Sequence, residues 1–143
     1  MGVRSSQFQL TASDLDKTIL TAAKKGVYKE SSIKNVSDKL RRKYFNDTGD
    51  NIAKYAVNNE IKNMVKFEQK DLINSKFSSN WDLILSRNFF IYLTREMKNK
   101  LIKKFTGVLN SGGYFFLGNT EYIFTPQKYD LEKVYQSFYQ YNK

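Results

Sequence analysis

Short apolar runs suited to strands alternate with amphipathic segments of helical period along this chain of 143 residues. Residues 8–13, 65–72 and 81–86 are predicted as strands, and the last of them is the most apolar. Residues 15–25 and 94–109 instead repeat their apolar side chains every three to four positions, the spacing of one helix face. Strands that alternate with helices are joined by crossovers, so this order predicts an α/β fold with a mainly parallel sheet.

Smaller elements are predicted in the middle of the chain. Residues 30–45 hold two short amphipathic pieces, and Ser37 is placed to cap the second. Polar residues at 46–51 predict a turn. A small strand over residues 52–57 and a short helix over 59–64 follow.

The C-terminal third predicts a helix and then strands. Thr94 is placed to cap the helix over 94–109, and the glycines in residues 111–113 predict a break after it. Residues 114–117 predict an apolar strand, and the aromatic run 134–141 predicts a last one. These C-terminal strands are expected to be antiparallel.

Histidine and cysteine are both absent, which excludes several classes of chemistry. Disulfides, thiolate zinc sites, cysteine nucleophiles and histidine bases all need one of these residues, so we expect no metal site. No apolar run approaches the roughly 20 residues of a membrane helix, and the N-terminus lacks a signal-peptide apolar region. The sequence predicts one soluble, cytoplasmic domain over residues 1–143, without membrane insertion.

The formal net charge is +10, with 24 basic and 14 acidic side chains. Such a charge is compatible with an acidic partner, but a lysine-rich solvated surface is the favoured interpretation. The densest cationic segment, residues 95–104, carries its cations opposite an apolar stripe and is predicted to be the solvated face of a helix. The sequence shows neither an aromatic RNA-binding strand motif nor a basic recognition helix, so we expect no nucleic-acid partner.

Polar residues that directly follow predicted strands are the candidates for a site, because ligands of open α/β sheets bind at the carboxyl ends of the strands. Asp14 is placed either to bind a ribose diol or to cap the following helix. Asp71 is either a ligand or an ordinary turn residue. Arg87 and Asn88 form a less common pair after a strand, and the spacing of Tyr92 favours packing.

No glycine-rich phosphate loop accompanies these candidates. The seven glycines form neither a G-x-G-x-x-G pattern nor a P-loop after an N-terminal strand. A nucleotide-binding sheet normally opens with such a strand and loop. The sheet of this chain is therefore expected to start at its second strand.

Seven segments, in the same order and spacing along almost the whole chain, resemble the chemotaxis receptor methyltransferases of the CheR family. They are Ala12-Ser-Asp-Leu-Asp16, Ala23-Lys-Lys-Gly-Val-Tyr28, Leu40-Arg-Arg-Lys-Tyr-Phe45, Asn58-Asn-Glu-Ile, Val65-Lys-Phe, Trp81-Asp-Leu-Ile-Leu-Ser-Arg-Asn88 with Ile91-Tyr92, and Ser111-Gly-Gly-Tyr-Phe-Phe-Leu-Gly118 with Glu121.

The resemblance implies a class I, Rossmann-like methyltransferase sheet with a small antiparallel insertion, placed near residues 46–64. It also implies S-adenosylmethionine as cofactor, S-adenosylhomocysteine as product, and transfer to glutamate side chains of methyl-accepting chemotaxis receptor cytoplasmic domains. The family's helical N-terminal domain, first strand and glycine loop would lie before residue 1, so the fold is expected to be N-terminally truncated. The alternative is a non-catalytic receptor-binding module of the same descent.

The resemblance also assigns roles to single residues. Asp14 would bind the cofactor ribose, Asp71 and Leu72 would contact the adenine, and Arg87 and Asn88 would lie below the methionine part. Tyr92 would lie close to the transferred methyl group, with Arg87 placed to orient an acidic group. Three positions depart from the family pattern: Asp at 71 for the usual Asn, Ser at 86 for the common Cys, and Leu at 93 for the usual Phe.

Overall fold

The structure is a computed structural model that describes residues 7–52 and 54–143. Its described residues divide into two compact units, the first ending at Asp71 and the second spanning Leu72–Lys143. The expectation that residues 1–143 form a single domain stays a prediction. The first unit contains β1 (Leu10–Asp14), α1 (Lys17–Lys25), β2 (Val27–Tyr28), α2 (Glu30–Ile33), α3 (Asp38–Tyr44), β3 (Phe45–Asp47), β4 (Tyr55–Val57), α4 (Asn59–Lys62) and β5 (Val65–Gln69). The second contains β6 (Trp81–Ser86), α5 (Arg95–Thr106), β7 (Leu109–Leu117), β8 (Leu131–Tyr135), β9 (Phe138–Tyr141) and 3-10 turns at Phe90–Tyr92 and Pro126–Tyr129.

A two-stranded parallel sheet of β1 and β5 forms the part of the first unit that bears the candidate acids. Leu10 lies opposite Val65, and Asp14 lies opposite Gln69. The first strand begins two residues later than predicted. Gly26 ends α1 with a left-handed φ of 62°, a conformation that glycine adopts without strain, so the predicted helix stop is confirmed.

The first unit also holds a three-stranded antiparallel sheet in the order β2-β4-β3. This insertion begins earlier than the predicted residues 46–64, because Val27 and Tyr28 pair with β4. The strand predicted over 52–57 is shorter than expected, since Ile52 lies in a bend and Ala53 lies outside the described residues.

The second unit is built on a four-stranded sheet in the order β6-β7-β9-β8. Strands β6 and β7 are parallel, with α5 between them in sequence, whereas β7, β9 and β8 pair antiparallel. The C-terminal strands are therefore antiparallel, as predicted. A single strand over 134–141 is wrong, because Ser137 is buried in the turn between β8 and β9, with its hydroxyl bonded to the Asn119 side chain.

The helix predicted over 94–109 begins as expected, with the Thr94 hydroxyl accepting the Met97 N–H, but it ends at Thr106. The chain leaves the helix because the N–H of Trp81 bonds the carbonyl of Val108 and draws it into the sheet. Leu109 is therefore a buried strand residue rather than the last member of the helix stripe.

The core of the second unit lies between α5 and the sheet. Phe105 and Phe115 pack with ring centroids 5.4 Å apart, and Phe90 joins the same cluster. Leu101 and Tyr139 complete it at 1% exposure each. Burial of these large side chains fixes the helix on the sheet, and so fixes the ends of β6 and β7 that precede the candidate loops.

Replacing Gly113 with alanine is expected to destabilise the sheet. Gly113 lies inside β7 rather than in a break before it, and a Cβ there would lie 2.8 Å from the Asn110 carbonyl and 3.2 Å from that of Trp81. Because these are backbone atoms, we expect the free energy of unfolding to fall by about 1–3 kcal/mol in urea denaturation. Gly107 has a helical φ of −67°, so Gly107→Ala should lower the free energy of unfolding by less. Equal losses of stability in the two variants would contradict this expectation.

The β6 edge of the sheet is expected to promote self-association. β6 ends the four-stranded order and exposes Leu83 by 46% and Leu85 by 59%, whereas β8, at the other end, carries Glu132 and Lys133. Unpaired apolar edges pair with other chains, and charges discourage this. Sedimentation velocity should show concentration-dependent association that Leu85→Lys reduces; a wild-type chain that stays monomeric would contradict it.

Candidate functional site

The candidate acids of the first unit lie at one edge of its parallel sheet. Asp14 is the last residue of β1, and Asp71 lies two residues after the end of β5. The N–H of Lys70 donates to the Asp14 carbonyl at 2.9 Å, which continues the pairing to that edge. The register therefore places both acids at the carboxyl ends of adjacent parallel strands, where α/β sheets bind ligands.

The cap of α1 is Asp16, not Asp14. The Asp16 carboxylate accepts the N–H of Thr18 at 2.6 Å, as a helix cap does. Asp14 Oδ1 accepts the N–H of Asp16 at 2.9 Å. This bond holds the half-buried Asp14 carboxylate at the strand end and uses only part of its acceptor capacity, which leaves room for the two hydroxyls of a ribose.

In the second unit, the chain leaves β6 through an exposed loop that carries the other candidates. Arg87 and Asn88 are exposed, and Asn88 has a left-handed φ of 56°, which asparagine tolerates better than most residues. Tyr92 ends the following 3-10 turn and is 80% exposed. The packing interpretation of Tyr92 is therefore wrong, because its side chain is open to solvent.

Glu121 holds this loop. Its carboxylate is only 6% exposed and accepts three backbone N–H groups: Asn88 at 2.9 Å, Phe90 at 2.7 Å and Gly118 at 3.0 Å. These bonds join the segment after β6 to the segment after β7. The sequence pointed to Glu121 only as one position of a resemblance, because a buried acid that binds backbone groups has no periodic signal.

The role of Lys104, like that of Glu121, was not predictable from the sequence. Its ammonium donates to the carbonyls of Leu72 at 3.0 Å, Ile73 at 2.7 Å and Ser75 at 2.7 Å, and it lies 4.8 Å from the Phe77 ring centroid. The prediction that residues 95–104 form only a solvated face is wrong at this position. Lys104 fixes the loop that begins with Leu72, the residue assigned to the adenine.

The donors and acceptors present suit a nucleoside-containing cofactor. Carboxylates such as that of Asp14 can accept hydrogen bonds from a ribose diol, and an aspartate such as Asp71 can accept from an adenine amino group but lacks the amide donor of an asparagine. Within residues 7–52 and 54–143 no group of three or more acidic, histidine or cysteine side chains is placed to hold a metal ion. No helix in that part of the chain is long and apolar enough to cross a membrane.

Comparison with known proteins identifies the family. Residues 2–138 match the model of the CheR methyltransferase SAM-binding domain. The chain is 31% identical over 137 residues to a chemotaxis protein methyltransferase of Listeria innocua, covering 96% of this chain and 51% of the relative. It is 34% identical over 117 residues to the protein of that name from Borreliella burgdorferi, covering 80% and 41%.

The chain thus spans about half the length of the curated relatives it matches. Among solved structures it resembles PKMT2 from Rickettsia typhi, with a TM-score of 0.48 and 18% identity, over 78% of this chain and 16% of that one. The fold is mixed α/β, as expected for class I methyltransferases, and the cofactor of the family is S-adenosylmethionine. The family match along nearly the whole sequence shows that this chain belongs to the CheR methyltransferases, as their SAM-binding domain.

Proposed function

We propose that this chain binds S-adenosylmethionine and contributes to methyl transfer onto glutamate side chains of chemoreceptor cytoplasmic domains. The observation that carries the proposal is the Asp14 carboxylate, which is held at the carboxyl end of β1 while Asp16 caps the helix. An acid at this place in an α/β sheet is suited to a ribose diol. The curated relatives are named chemotaxis protein methyltransferases, which supports the same activity.

The resemblance to the family assigns the parts of the cofactor to single residues of the chain. Asp14 would accept the ribose hydroxyls, and Asp71 with Leu72 would contact the adenine. Arg87 and Asn88 would hold the methionine part. When bound, S-adenosylmethionine supplies a methyl group on a sulfonium centre, which passes to a glutamate oxygen and leaves S-adenosylhomocysteine.

The composition of the chain suits this chemistry. A glutamate carboxyl has a pKa of about 4.3, so the nucleophile is ionised at neutral pH and needs no histidine or cysteine base. The protein then contributes positioning and exclusion of water. Arg87 would orient an acidic group, and Tyr92 would lie close to the transferred methyl group. The three bonds of Glu121 keep the loop that carries both residues in one conformation.

Transfer can be measured with tritiated S-adenosylmethionine and a chemoreceptor cytoplasmic fragment. A glutamate methyl ester releases volatile methanol in base, so base-labile label identifies the product. We expect Arg87→Ala to lower the rate at least about tenfold, since misplaced reacting groups cost up to about 10²-fold. Tyr92→Phe should also lower the rate. Tyr135→Phe, a tyrosine of similar exposure at 72%, should not.

The second candidate function is a non-catalytic receptor-binding module of the same descent. A pull-down with the receptor fragment, done without cofactor, separates the two functions. Retention of the receptor together with no base-labile label would favour the module. Label transfer that depends on Arg87 would favour the enzyme.

A further inference from the structure

A cavity of about 440 Å³ lies within the second unit, beside the loop that carries Tyr92. Its apolar wall includes the buried side chains of Phe90, Ile102, Ile123 and Tyr129. A volume of this size is typical of ligand sites. Because Phe90 belongs to the same turn as Tyr92, a group bound in the cavity would lie next to the segment assigned to methyl transfer.

Two polar residues of the cavity wall, Glu121 and Asn99, are already hydrogen-bonded within the protein. The Glu121 carboxylate is bonded to three backbone N–H groups, and Asn99 accepts the Tyr129 hydroxyl at 2.7 Å. Arg95, Lys98 and Lys128 also line the cavity. None of these three cations forms an ion pair with a described residue.

Two aromatic side chains at the cavity are unusually exposed. Tyr122 is 60% and Phe124 is 84% exposed, and their rings meet edge to face with centroids 4.6 Å apart. Exposed aromatic surface of this kind is typical of protein-binding sites. Together these groups are suited to bind a partner that has both carboxylates and apolar side chains.

We propose that this cavity binds an acidic segment of the protein substrate. Carboxylate side chains of that segment pair with Arg95, Lys98 and Lys128, and an apolar side chain packs on Tyr122 and Phe124. This inference rests on the proposed function, and it deepens that function by assigning the part of the chain that selects acidic stretches around the modified glutamate. A nucleic acid fits less well, because the cations surround an apolar cavity rather than forming a stripe along a groove.

Fluorescence anisotropy with a labelled twelve-residue peptide of three Glu-Ala-Glu-Leu repeats tests the proposal. We expect Lys98→Glu and Lys128→Glu each to weaken binding at least tenfold, and Phe124→Ala to weaken it several-fold. Lys100→Glu lies on the same helix and Lys133→Glu on β8; both make the same charge change at exposed positions outside the cavity and should change binding less than twofold. A peptide with glutamine in place of glutamate should not bind.

The proposal would be overturned by no binding to the wild-type chain, by equal weakening in all four charge reversals, or by equal binding of the glutamine peptide. A single-stranded oligonucleotide that competes in a manner dependent on Lys98 would overturn it in favour of nucleic acid. Calorimetric titration of the same variants with S-adenosylhomocysteine separates the two proposals. A wild-type chain that binds S-adenosylhomocysteine but not the peptide removes this inference alone, whereas a wild-type chain that fails to bind S-adenosylhomocysteine contradicts the proposed function.

Discussion

Replacing Glu121 with glutamine is expected to lower the free energy of unfolding by about 2 kcal/mol and to release the loop after β6. The carboxylate accepts three backbone N–H groups, whereas a glutamine amide has one acceptor oxygen and turns an NH₂ group toward the same donors. A buried N–H left without an acceptor costs about 1–3 kcal/mol. Urea denaturation measures the loss, and amide exchange at Asn88, Phe90 and Gly118 locates it.

Two further variants serve as comparisons for Glu121→Gln. Glu96→Gln removes an exposed carboxylate from the first turn of α5 and should be nearly neutral. Gly118→Ala should reproduce the effect of Glu121→Gln, because its Cβ would lie 2.6 Å from Glu121 Oε2. Since both changes disturb one cluster, their effects should not add in the double variant. Unchanged amide protection in Glu121→Gln would contradict the role given to this carboxylate.

Replacing Lys104 with methionine is expected to have the second large effect. Methionine keeps much of the apolar stem but removes the ammonium that donates to the carbonyls of Leu72, Ile73 and Ser75. The loss of hydrogen bonds from a charged donor should reduce the free energy of unfolding by about 2 kcal/mol. Because Leu72 begins this loop, the affinity for S-adenosylhomocysteine should fall as well.

The adjacent residue provides the control. Lys103 is exposed on the same helix, so Lys103→Met should change stability by less than about 0.5 kcal/mol. Urea denaturation and calorimetric titration of both variants give the comparison. Equal effects of the two substitutions would show that Lys104 acts only as a surface charge.

Hydrophobic periodicity predicted most of the strands and helices, because it reports which face of an element is buried. It failed where a tertiary contact decided the outcome. Leu109 continues the spacing of a helix, yet the bond between Trp81 and Val108 places it in a strand. Residues 134–141 are apolar enough for one strand, but the buried Ser137 turn divides them.

The candidate site was predictable where a residue follows a strand. Asp14, Asp71, Arg87 and Asn88 were all proposed in this way, and their roles stay predictions; the parallel register of β1 and β5 brings the first two to one edge. Glu121 and Lys104 were not, because their partners are backbone groups distant in sequence. Sequence spacing contains no information about such bonds, which only the folded chain forms.

Cofactor binding through Asp14 is the central claim, and calorimetric titration with S-adenosylhomocysteine tests it most directly. We expect the wild-type chain to bind S-adenosylhomocysteine and Asp14→Ala to bind it about 10²-fold more weakly. The variant loses two hydrogen bonds to a charged group, each of which contributes about 1.5 kcal/mol. Asp16→Ala removes a helix cap, so its free energy of unfolding should fall by about 1 kcal/mol. Its affinity for S-adenosylhomocysteine should stay within twofold of that of the wild-type chain. A folded wild-type chain that does not bind, or equal losses in both variants, would contradict the account.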